Sequence, residues 1–508
     1  MKFSLLYRNY VDEIKDRDDP LEEEMSNTVY DLSIDRAARA ICRDKESFNY
    51  FMEVIKAPLM NTEDIKYRQD ILMDFVASPK LLDELRMIFK SYDSLQSDWH
   101  EMCSSIYTYG VPSTVKGLLD CTYESLKATS NFARSTVSYF RSISDAVDKY
   151  EVKSDGLIGI KEYCSAMSVN ESLDEITRIG SYFLREGVAA YEFRVLVETD
   201  DTLTIRGSSL LSAVELEARS IGRSLKKLMG NITKTNPPPD DTPEIDMGEF
   251  HLEESYTILN DALYEVYTVL SGITGNIYEF FRGLSGELSF FDTGLQYCRY
   301  LAQAGMPMCL PKMMPQEEDC FRANGIYDIQ LIAEGIAAEN IVRNDIRIDK
   351  DTDGVLIRGA NTSGKTSLLR AFGTAQLFAQ AGLPVCATGA VISIRNAVMT
   401  LFASSEEEFN AGDAAGRFEG EVQQMARILD RLVPYTLLLL NESFQTTAYR
   451  EGAVGMQHIL EVLPRVKCKY IFVTWLMQMF DMTGGGSVRQ MQMGGEGFPA
   501  YKIHEPEG

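Results

Sequence analysis

The spacing of apolar residues predicts a mostly helical first half of the chain. The segment "PKLLDELRMIFKSYDSL" carries a stripe of apolar side chains at helical spacing: Leu81, Leu82, Leu85, Ile88, Phe89 and Tyr92. Such a stripe covers one face of an amphipathic helix. Pro79 suits the first turn, where a missing N–H costs little. We therefore predict a helix that begins near Pro79 and buries this face.

A second apolar pattern alternates spacings of four and three residues. It comprises Leu252, Tyr256, Leu259, Leu263, Val266, Leu270, Ile273 and Ile277. This heptad pattern is typical of a helix packed lengthwise against another helix. Gly272 and Gly275 are poor helix formers and are expected to weaken its end. A helix of an ordinary bundle and a long coiled-coil lever both remain open.

Other segments interrupt or end this helical region. The stretch from Phe193 to Ser209 alternates around Asp200-Asp201, which predicts a short hairpin or a small insertion. "TNPPPDDTPE" reads as a proline-rich loop, and "GMPMCLPKMMPQEED", Gly305 to Asp319, is the predicted domain boundary. After it, the strand-like runs "GVLIRG", "YTLLLLNE" and "KYIFVTW" alternate with helical stretches. That alternation predicts an α/β domain with a largely parallel sheet.

Charge and cysteine usage restrict the function classes. The net charge is −25, so any contact with nucleic acid requires a local basic surface. The nine cysteines form no C-x-x-C pair and only four histidines are present, which argues against zinc and against a disulfide framework. No apolar run is long enough to cross a bilayer, and Arg8, Asn9 and Asp12 interrupt the apolar start. We therefore expect a cytoplasmic protein with no membrane partner.

The residues from Gly359 to Thr366, "GANTSGKT", fit the phosphate-binding pattern G-x-x-x-x-G-K-[ST]. A strand-like run precedes this loop and a helical pattern follows it, so backbone amides and the helix N-terminus would face the phosphates. Lys365 would bind the β- and γ-phosphates, and the Thr366 hydroxyl would face Mg²⁺. The pattern predicts ATP and Mg²⁺ as cofactors.

A phosphate-binding loop also needs an acidic residue at the end of a buried strand. The apolar run Leu437 to Leu440 supplies the strand and is followed by Asn441-Glu442. The first of these positions is usually an aspartate near the metal, and the second a glutamate that polarises water. Glu442 is therefore the predicted catalytic carboxylate, together with Lys365. Asn441 would reach the metal as a neutral amide, which is expected to weaken metal binding and slow hydrolysis.

These motifs resemble the ATPase domain of the MutS mismatch-repair family. "GANTSGKTS" is similar to the family's loop, and "NESFQTT" stands where the family has D-E-x-x-R-G-T. "GRFEGEVQQMARIL", from Gly416 to Leu429, is similar to the family's S-T-F-x-x-E-M segment, with glycine in place of the serine. "ENIVRNDIRI" resembles the run before the loop strand. The resemblance extends more weakly to the helical half, from about residue 30.

The resemblance implies a set of nucleotide-site residues. The ATP-binding residues would be Gly359, Ala360, Asn361, Thr362, Ser363, Gly364, Lys365, Thr366 and Ser367, with Ile341 and Val342 beside the adenine. Thr366 and Asn441 would be the protein residues at the metal ion. Gly416, Arg417 and Phe418 would form a signature acting in trans on a second subunit's nucleotide, and Arg417 and Gln445 are candidates for contacts to the γ-phosphate. Trp475 replaces a histidine that is usual in the family.

By the same resemblance, the fold class is α + α/β. Residues 1–304 would form an all-helical core and lever domain with long helices and a short clamp-like insertion over 190–248, and residues 316–508 a P-loop ATPase domain. The chain is expected to be a short member that lacks the N-terminal mismatch-recognition domain. The family's C-terminal dimerisation segment is also expected to be missing.

Two functions follow from these expectations. The first is an ATP-dependent DNA-binding protein, in which a homodimer would hydrolyse ATP and move levers around duplex or branched DNA in repair or recombination. Asn441 is expected to make this hydrolysis slow. Arg219, Arg223 and Lys226 are spaced to form a basic helix face, although such a face is as often simply solvated. The second is a nucleotide-gated scaffold with little ATP turnover that recruits a protein partner, which Asn441, Gly416 and Trp475 favour.

Overall fold

A computed structural model describes residues 3–8, 21–106, 114–170, 173, 191–199, 205–215, 252–402, 414–444, 449–475, 477–482 and 487–506. The α-helices are α1 Glu22–Asp31, α2 Ile34–Ile41, α3 Lys45–Lys56, α4 Thr62–Ala77, α5 Pro79–Ile106, α6 Val115–Asp148, α7 Asp155–Ser168, α8 Leu252–Gln303, α9 Ile329–Ala333, α10 Lys365–Gln380, α11 Ala414–Asp430, α12 Tyr449–Val462 and α13 Met477–Met482. The strands are β1 Tyr191–Thr199, β2 Ile205–Glu215, β3 Lys312–Met314, β4 Phe321–Ile326, β5 Asn344–Ile348, β6 Gly354–Gly359, β7 Gly389–Ser393, β8 Ala397–Phe402, β9 Thr436–Asn441, β10 Lys469–Val473, β11 Val488–Met493 and β12 Ile503–His504. Short 3-10 turns cover Gln316–Glu318, Ala338–Asn340 and Leu463–Val466. No helix of the described ranges combines the length and apolar character that crossing a membrane requires.

The chain divides into two compact units. One consists of Met1–Phe3, Asp83–Glu151 and Ile158–Ser285, and the other of Ser4–Leu82, Val152–Leu157 and Gly286–Gly508. The described residues of the second unit include both the early helices α1–α4 and the strands from β3 onward. This division follows spatial contacts, and the limits of 1–304 and 316–508 stay a prediction.

In the first unit, α5, α6 and α8 pack through aromatic and aliphatic side chains. Helix α5 begins at Pro79 as predicted, and Tyr92 on its buried face stacks on Phe281 of α8 with ring centroids 4.0 Å apart. Phe140 of α6 packs against the same Phe281 ring at 5.1 Å. Large buried rings contribute much of the hydrophobic stabilisation of such a bundle. The helical interpretation of this segment is confirmed.

The heptad pattern of α8 lies partly in this interface. Leu263 and Leu270 are buried and pack in one cluster with Leu126 and Ala133 of α6. The predicted weakening at Gly272 and Gly275 was wrong, because α8 continues through both glycines to Gln303. Packing on both sides of the glycines outweighs a propensity cost of about 1 kcal/mol per glycine. This part of α8 therefore packs against α6, as the heptad pattern predicted for a helix packed against another helix.

The predicted hairpin is present in the backbone. Strands β1 and β2 pair antiparallel from Tyr191 opposite Glu215 to Thr199 opposite Ile205. The register shifts between Arg194 and Val195 and again between Glu198 and Thr199, as in β-bulges. The proline-rich segment 235–244 and the basic residues Arg219, Arg223 and Lys226 lie outside the described residues.

In the second unit, six of the described strands form one sheet in the order β12-β11-β6-β10-β9-β8. Its strands run parallel from β11 to β8, and only β12 is antiparallel to its neighbour. Leu437 to Leu440 of β9 are fully buried, as expected for a strand covered on both faces. The predicted fold class α + α/β is confirmed at this coarse level.

A second sheet of this unit was not predicted. Strands β3, β7, β4 and β5 form a mixed sheet in that order, in which β4 is antiparallel to both neighbours. Its strand β3 lies inside Gly305 to Asp319, the segment predicted as a boundary. The prolines around β3 leave only three residues in strand conformation, which is too short to show a sequence period. The described residues of the second unit therefore form two sheets, whereas the sequence indicated one.

The carboxylate of Glu287 on α8 fixes the N-terminal segment. The Ser4 hydroxyl donates to Glu287 Oε1 at 2.6 Å, and the backbone N–H of Leu5 donates to Oε2 at 2.6 Å. Glu287 is 6% exposed, and this burial raises the pKa of the carboxyl to about 7 despite the hydrogen bonds that lower it. The folded protein therefore holds a proton that the unfolded chain releases near its ordinary pKa of about 4.3.

We expect Glu287→Gln to flatten the pH dependence of stability. Because the pKa is raised on folding, the carboxyl contributes stability below about pH 4.5 that is lost as the pH rises through about 7. Between pH 5 and 8 the unfolding free energy of the wild type should therefore fall by about 1–3 kcal/mol more than that of the variant. Urea unfolding at several pH values measures the difference. Glu279→Gln, at an exposed position of the same helix, is the control and should retain the wild-type slope, and equal slopes for wild type and Glu287→Gln would contradict the assignment.

Candidate functional site

The glycine-rich loop joins the end of β6 to the start of α10. Lys365 is the first residue of α10 and is 4% exposed. Its ammonium donates to the carbonyls of Gly359 at 3.0 Å and Ala360 at 2.8 Å. The lysine thus closes the loop onto its own backbone and holds a positive charge at the N-terminus of the helix. An anion placed there would meet both the charge and the free amides of the first turn.

Two glycines of this loop are required by geometry. Gly364 has a φ of 92°, which side-chain-bearing residues rarely adopt, and a Cβ there would lie 3.0 Å from Tyr501 Cδ1. A Cβ on Gly359 would lie 2.7 Å from Ser363 Oγ and 2.9 Å from the carbonyl oxygen of Met493. Both positions of the motif are therefore fixed by the fold around the loop as well as by phosphate chemistry.

The end of β9 faces the loop, one strand away across β10. The hydroxyl of Thr366 donates to Asn441 Oδ1 at 3.1 Å. The two residues predicted to serve the metal are thus brought together, and both offer neutral oxygens. Mg²⁺ usually keeps several waters and takes one or two carboxylates in addition to substrate phosphates. The pair therefore fits a magnesium ion held mainly by a nucleotide's phosphates and only weakly by the protein.

Glu442 follows β9 in a constrained conformation. Its φ is 53°, in the left-handed region, and its N–H donates to the carbonyl of Val473 at 2.8 Å. Its Oε1 lies 3.6 Å from Lys365 Nζ. A non-glycine residue held at positive φ costs about 1 kcal/mol or more and is typical of functional sites. The backbone turn directs the carboxylate toward the phosphate-binding loop.

Glu421 of α11 holds the turn after Glu442. The N–H of Phe444, which also has a positive φ of 64°, donates to Glu421 Oε2. This bond connects α11 to the segment that carries the predicted catalytic carboxylate.

The loop opens into a cavity of about 630 Å³. Its walls are formed by Ile326, Tyr327, Asp328, Leu331, Ile336, Asn340, Val342, Asn344, Asn361, Thr362, Ser363, Gly364, Lys365, Thr366, Ser367, Leu368, Ala371, Glu442 and Tyr501. The loop and Glu442 make one wall polar. The segment from Ile326 to Val342 contributes most of the apolar wall. A volume of this size suits a nucleotide-sized ligand.

Most of the predicted nucleotide residues contribute to this cavity. Asn361 through Ser367 line it, whereas Gly359 and Ala360 take part through their carbonyls. Val342 is in the wall, but Ile341 is buried and is not among the lining residues. Asn344 uses its amide to donate to the Tyr501 carbonyl at 3.1 Å and to accept from the Ile503 N–H at 2.8 Å.

The sequence reasoning missed the wall residues outside the motifs, and two of them, Tyr501 and Asp328, come from segments distant from the loop. Tyr501, between β11 and β12, lies beside Gly364, and no local signal marks it. Asp328 precedes the five-residue helix α9 and caps it, since its Oδ1 accepts from the Gln330 N–H at 3.0 Å. Its Oδ2 has no hydrogen-bond partner among the described residues, although the residue is only 2% exposed. Burial raises the pKa of this carboxyl to about 7, and nearby Arg370 lowers it.

Other predicted site residues are placed only in part. Gly416, Arg417 and Phe418 lie in α11, but their side chains are outside the described set. Gln445 is also outside the described residues. Trp475, which follows β10, is 38% exposed and is not a wall residue of the cavity. Their roles in a shared or γ-phosphate site stay predictions.

Comparison with known proteins identifies the region around the loop. Residues 355–495 match the model for MutS domain V. An Endonuclease MutS2 from Streptococcus thermophilus is 34% identical over 136 residues, and one from Streptococcus mutans is 32% identical over 136 residues. Each of these alignments covers 27% of this chain and 17% of the relative. An Endonuclease MutS2 from Streptococcus agalactiae is 35% identical over 125 residues, 24% of this chain and 16% of that protein.

The chain thus matches less than a fifth of the length of these relatives. The match contains the loop, Thr366, Asn441 and Glu442, whose side chains converge in the structure. We conclude that residues 355–495 of the chain are similar to MutS domain V.

Proposed function

We propose that the chain binds ATP with Mg²⁺ in the cavity beside the loop and hydrolyses it slowly. The observation that carries this proposal is the convergence of Lys365, Thr366 and Glu442 on one wall. Each side chain supplies a different group that phosphoryl transfer uses: Lys365 a buried cation, Thr366 a hydroxyl and Glu442 a carboxylate. The residues proposed to contact ATP are those of the loop together with Val342. The buried Ile341 would lie behind the wall that faces the adenine.

In this mechanism the protein acts mainly by positioning charge. The amides at the start of α10 and the Lys365 ammonium bind phosphate oxygens, which would draw the lysine away from the carbonyls of Gly359 and Ala360. Glu442 orients a water molecule and accepts its proton. Bound Mg²⁺ would neutralise phosphate charge, with Thr366 and Asn441 as its protein neighbours. Asn441 provides no charge for that ion, which is why slow turnover is proposed.

We further propose that nucleotide binding is coupled to DNA. The names of the matched relatives indicate nuclease proteins, and the family's role in repair or recombination motivates duplex or branched DNA as the partner of this chain. In a homodimer, the segment Gly416 to Phe418 would reach the nucleotide of the second subunit. Such an arrangement would connect ATP hydrolysis to movement of the long helices. A cytoplasmic location accords with this function.

The second candidate function is a nucleotide-gated scaffold. It is favoured by the neutral Asn441 beside Thr366 and by the position of Trp475 outside the cavity wall. In that case nucleotide binding would change a protein-binding surface, and turnover would remain near background.

Asn441→Asp distinguishes the two candidates. The aspartate retains an oxygen for the Thr366 hydroxyl and adds a negative charge beside the proposed metal position. For a slow ATPase we expect the rate at saturating Mg²⁺ to rise about tenfold to a hundredfold, equivalent to about 1–3 kcal/mol in the barrier. Steady-state ATPase assays titrated with Mg²⁺ measure this.

The control for this experiment is the double variant Asn441→Asp with Glu442→Gln. It should lose the gain if the rate belongs to this site. An unchanged rate in Asn441→Asp at saturating Mg²⁺, with only the metal requirement altered, would support the scaffold and not the ATPase.

A further inference from the structure

The turn that follows β9 holds its backbone in an unusual conformation. Glu442 and Phe444 both lie in the left-handed region, with φ of 53° and 64°. Residues other than glycine are strained there and persist only where the surrounding structure holds them. The same turn carries Glu442, the carboxylate proposed to orient water for ATP hydrolysis. The contacts that hold the turn therefore also determine where this carboxylate points.

The sheet anchors the first half of the turn. The Glu442 N–H donates to the carbonyl of Val473 at 2.8 Å, and the Ser443 hydroxyl donates to the carbonyl of Leu401 at 2.9 Å. Val473 is the last residue of β10, and Leu401 is the next-to-last residue of β8. Both acceptors are backbone groups at the carboxyl ends of strands, so these two bonds need no side chain from a neighbouring element.

Helix α11 anchors the second half of the turn. The N–H of Phe444, a residue that is 6% exposed, donates to Glu421 Oε2. The Phe444 side chain belongs to the same buried cluster as Met425 and Ile428 of α11. Glu421, Met425 and Ile428 follow one another at spacings of four and three residues, so they share one face of the helix. Because a buried N–H without an acceptor is costly, the Glu421 carboxylate stabilises the turn.

We propose that Glu421 is a positioning residue, whose bond to the Phe444 N–H keeps Glu442 aimed at the phosphate-binding loop. This role rests on the proposed ATP hydrolysis. In the observed turn, Glu442 Oε1 lies 3.6 Å from Lys365 Nζ. Loss of the anchor would let the strained residues relax and the carboxylate move away. Catalysis is sensitive to displacements of about 1 Å, whereas the loop that binds the phosphates would stay in place.

The test compares turnover with ATP affinity in three variants. Glu421→Ala should lower ATP turnover at saturating ATP and Mg²⁺ by about tenfold or more and leave the affinity measured by calorimetry unchanged. Glu421→Gln keeps an oxygen that accepts from the same N–H and should retain most of the turnover. Glu419→Ala is the matched control, because Glu419 is an exposed residue of the same helix that accepts only at 3.4 Å from Gln423 Nε2. It should retain both turnover and affinity.

A double variant shows whether Glu421 acts through Glu442. Glu421→Ala combined with Glu442→Gln should turn over ATP no more slowly than Glu442→Gln alone, since the group to be positioned is already absent. If alanine lowers the melting temperature, Glu421→Met, which keeps the length of the side chain without its carboxylate, should show the same loss of turnover.

The outcomes separate this role from the proposed function. Wild-type turnover in folded Glu421→Ala, an equal loss of turnover and ATP affinity, or a further loss in the double variant would overturn the role of Glu421 while leaving ATP hydrolysis intact. Wild-type turnover no higher than that of Glu442→Gln would overturn the proposed function, and the role of Glu421 with it.

Discussion

Lys365→Ala is expected to reduce ATP affinity by about a hundredfold or more. Lys365 supplies the buried ammonium at the loop, and charge-assisted hydrogen bonds to phosphate are among the strongest that a side chain makes. Without it, the amides of the first turn of α10 would carry the phosphate charge alone. Calorimetry with ATP and Mg²⁺ measures the loss directly.

The control separates this effect from the general removal of charge. Lys312→Ala changes an exposed lysine on β3 that is not a wall residue, and ATP affinity should remain that of the wild type. Because Lys365 also bonds the carbonyls of Gly359 and Ala360, melting temperatures should accompany both measurements. Wild-type ATP affinity in folded Lys365→Ala would rule out the loop as the nucleotide site.

Asp319→Asn is expected to destabilise the second unit by about 3–5 kcal/mol, because it leaves buried cations without their counter-ion. Asp319 Oδ1 lies 2.5 Å from Arg395 Nη1, and its Oδ2 lies 3.4 Å from Lys469 Nζ. Arg395 and Lys469 are 2% and 5% exposed. Burial lowers the pKa of Lys469, and Asp319 opposes that shift. Asparagine tolerates the left-handed φ of 45° found at this position, so the charge is the main change.

A matched exposed site provides the comparison. Asp349 also lies between two cations, with Oδ1 2.6 Å from Arg322 Nε and Oδ2 2.6 Å from Arg347 Nε. Both arginines are about half exposed or more, so Asp349→Asn should cost no more than about 1 kcal/mol. Urea unfolding of the two variants measures the contrast. Similar losses in both would show that burial of the Asp319 cluster does not determine its contribution.

The parts of the site that are contiguous in sequence could be predicted, because local rules determine them. The loop from Gly359 to Thr366 requires a preceding strand and a following helix, and both β6 and α10 are present. The four leucines of β9 likewise indicated a buried strand that ends at Asn441. Those inferences depend only on spacing and on the conformational demands of phosphate binding.

The features of the fold and the site that were not predicted depend on contacts between distant segments. Asp328 and Tyr501 come together with the loop only through the folded arrangement of the strands, and neither belongs to a motif. The length of α8 was also missed, because local propensity at Gly272 and Gly275 predicted a weakening that packing overrides. The short strands of the mixed sheet were not recognised because three to six residues do not establish a period.

The most direct test of the proposed function is ATP turnover by the wild-type chain at saturating Mg²⁺, with and without duplex or branched DNA. Glu442→Gln, which removes the carboxylate and keeps the shape of the side chain, defines the background. The proposal predicts slow wild-type turnover that exceeds this background and changes when DNA is added. Turnover equal to that of Glu442→Gln under every condition, in a protein that still binds ATP, would contradict it.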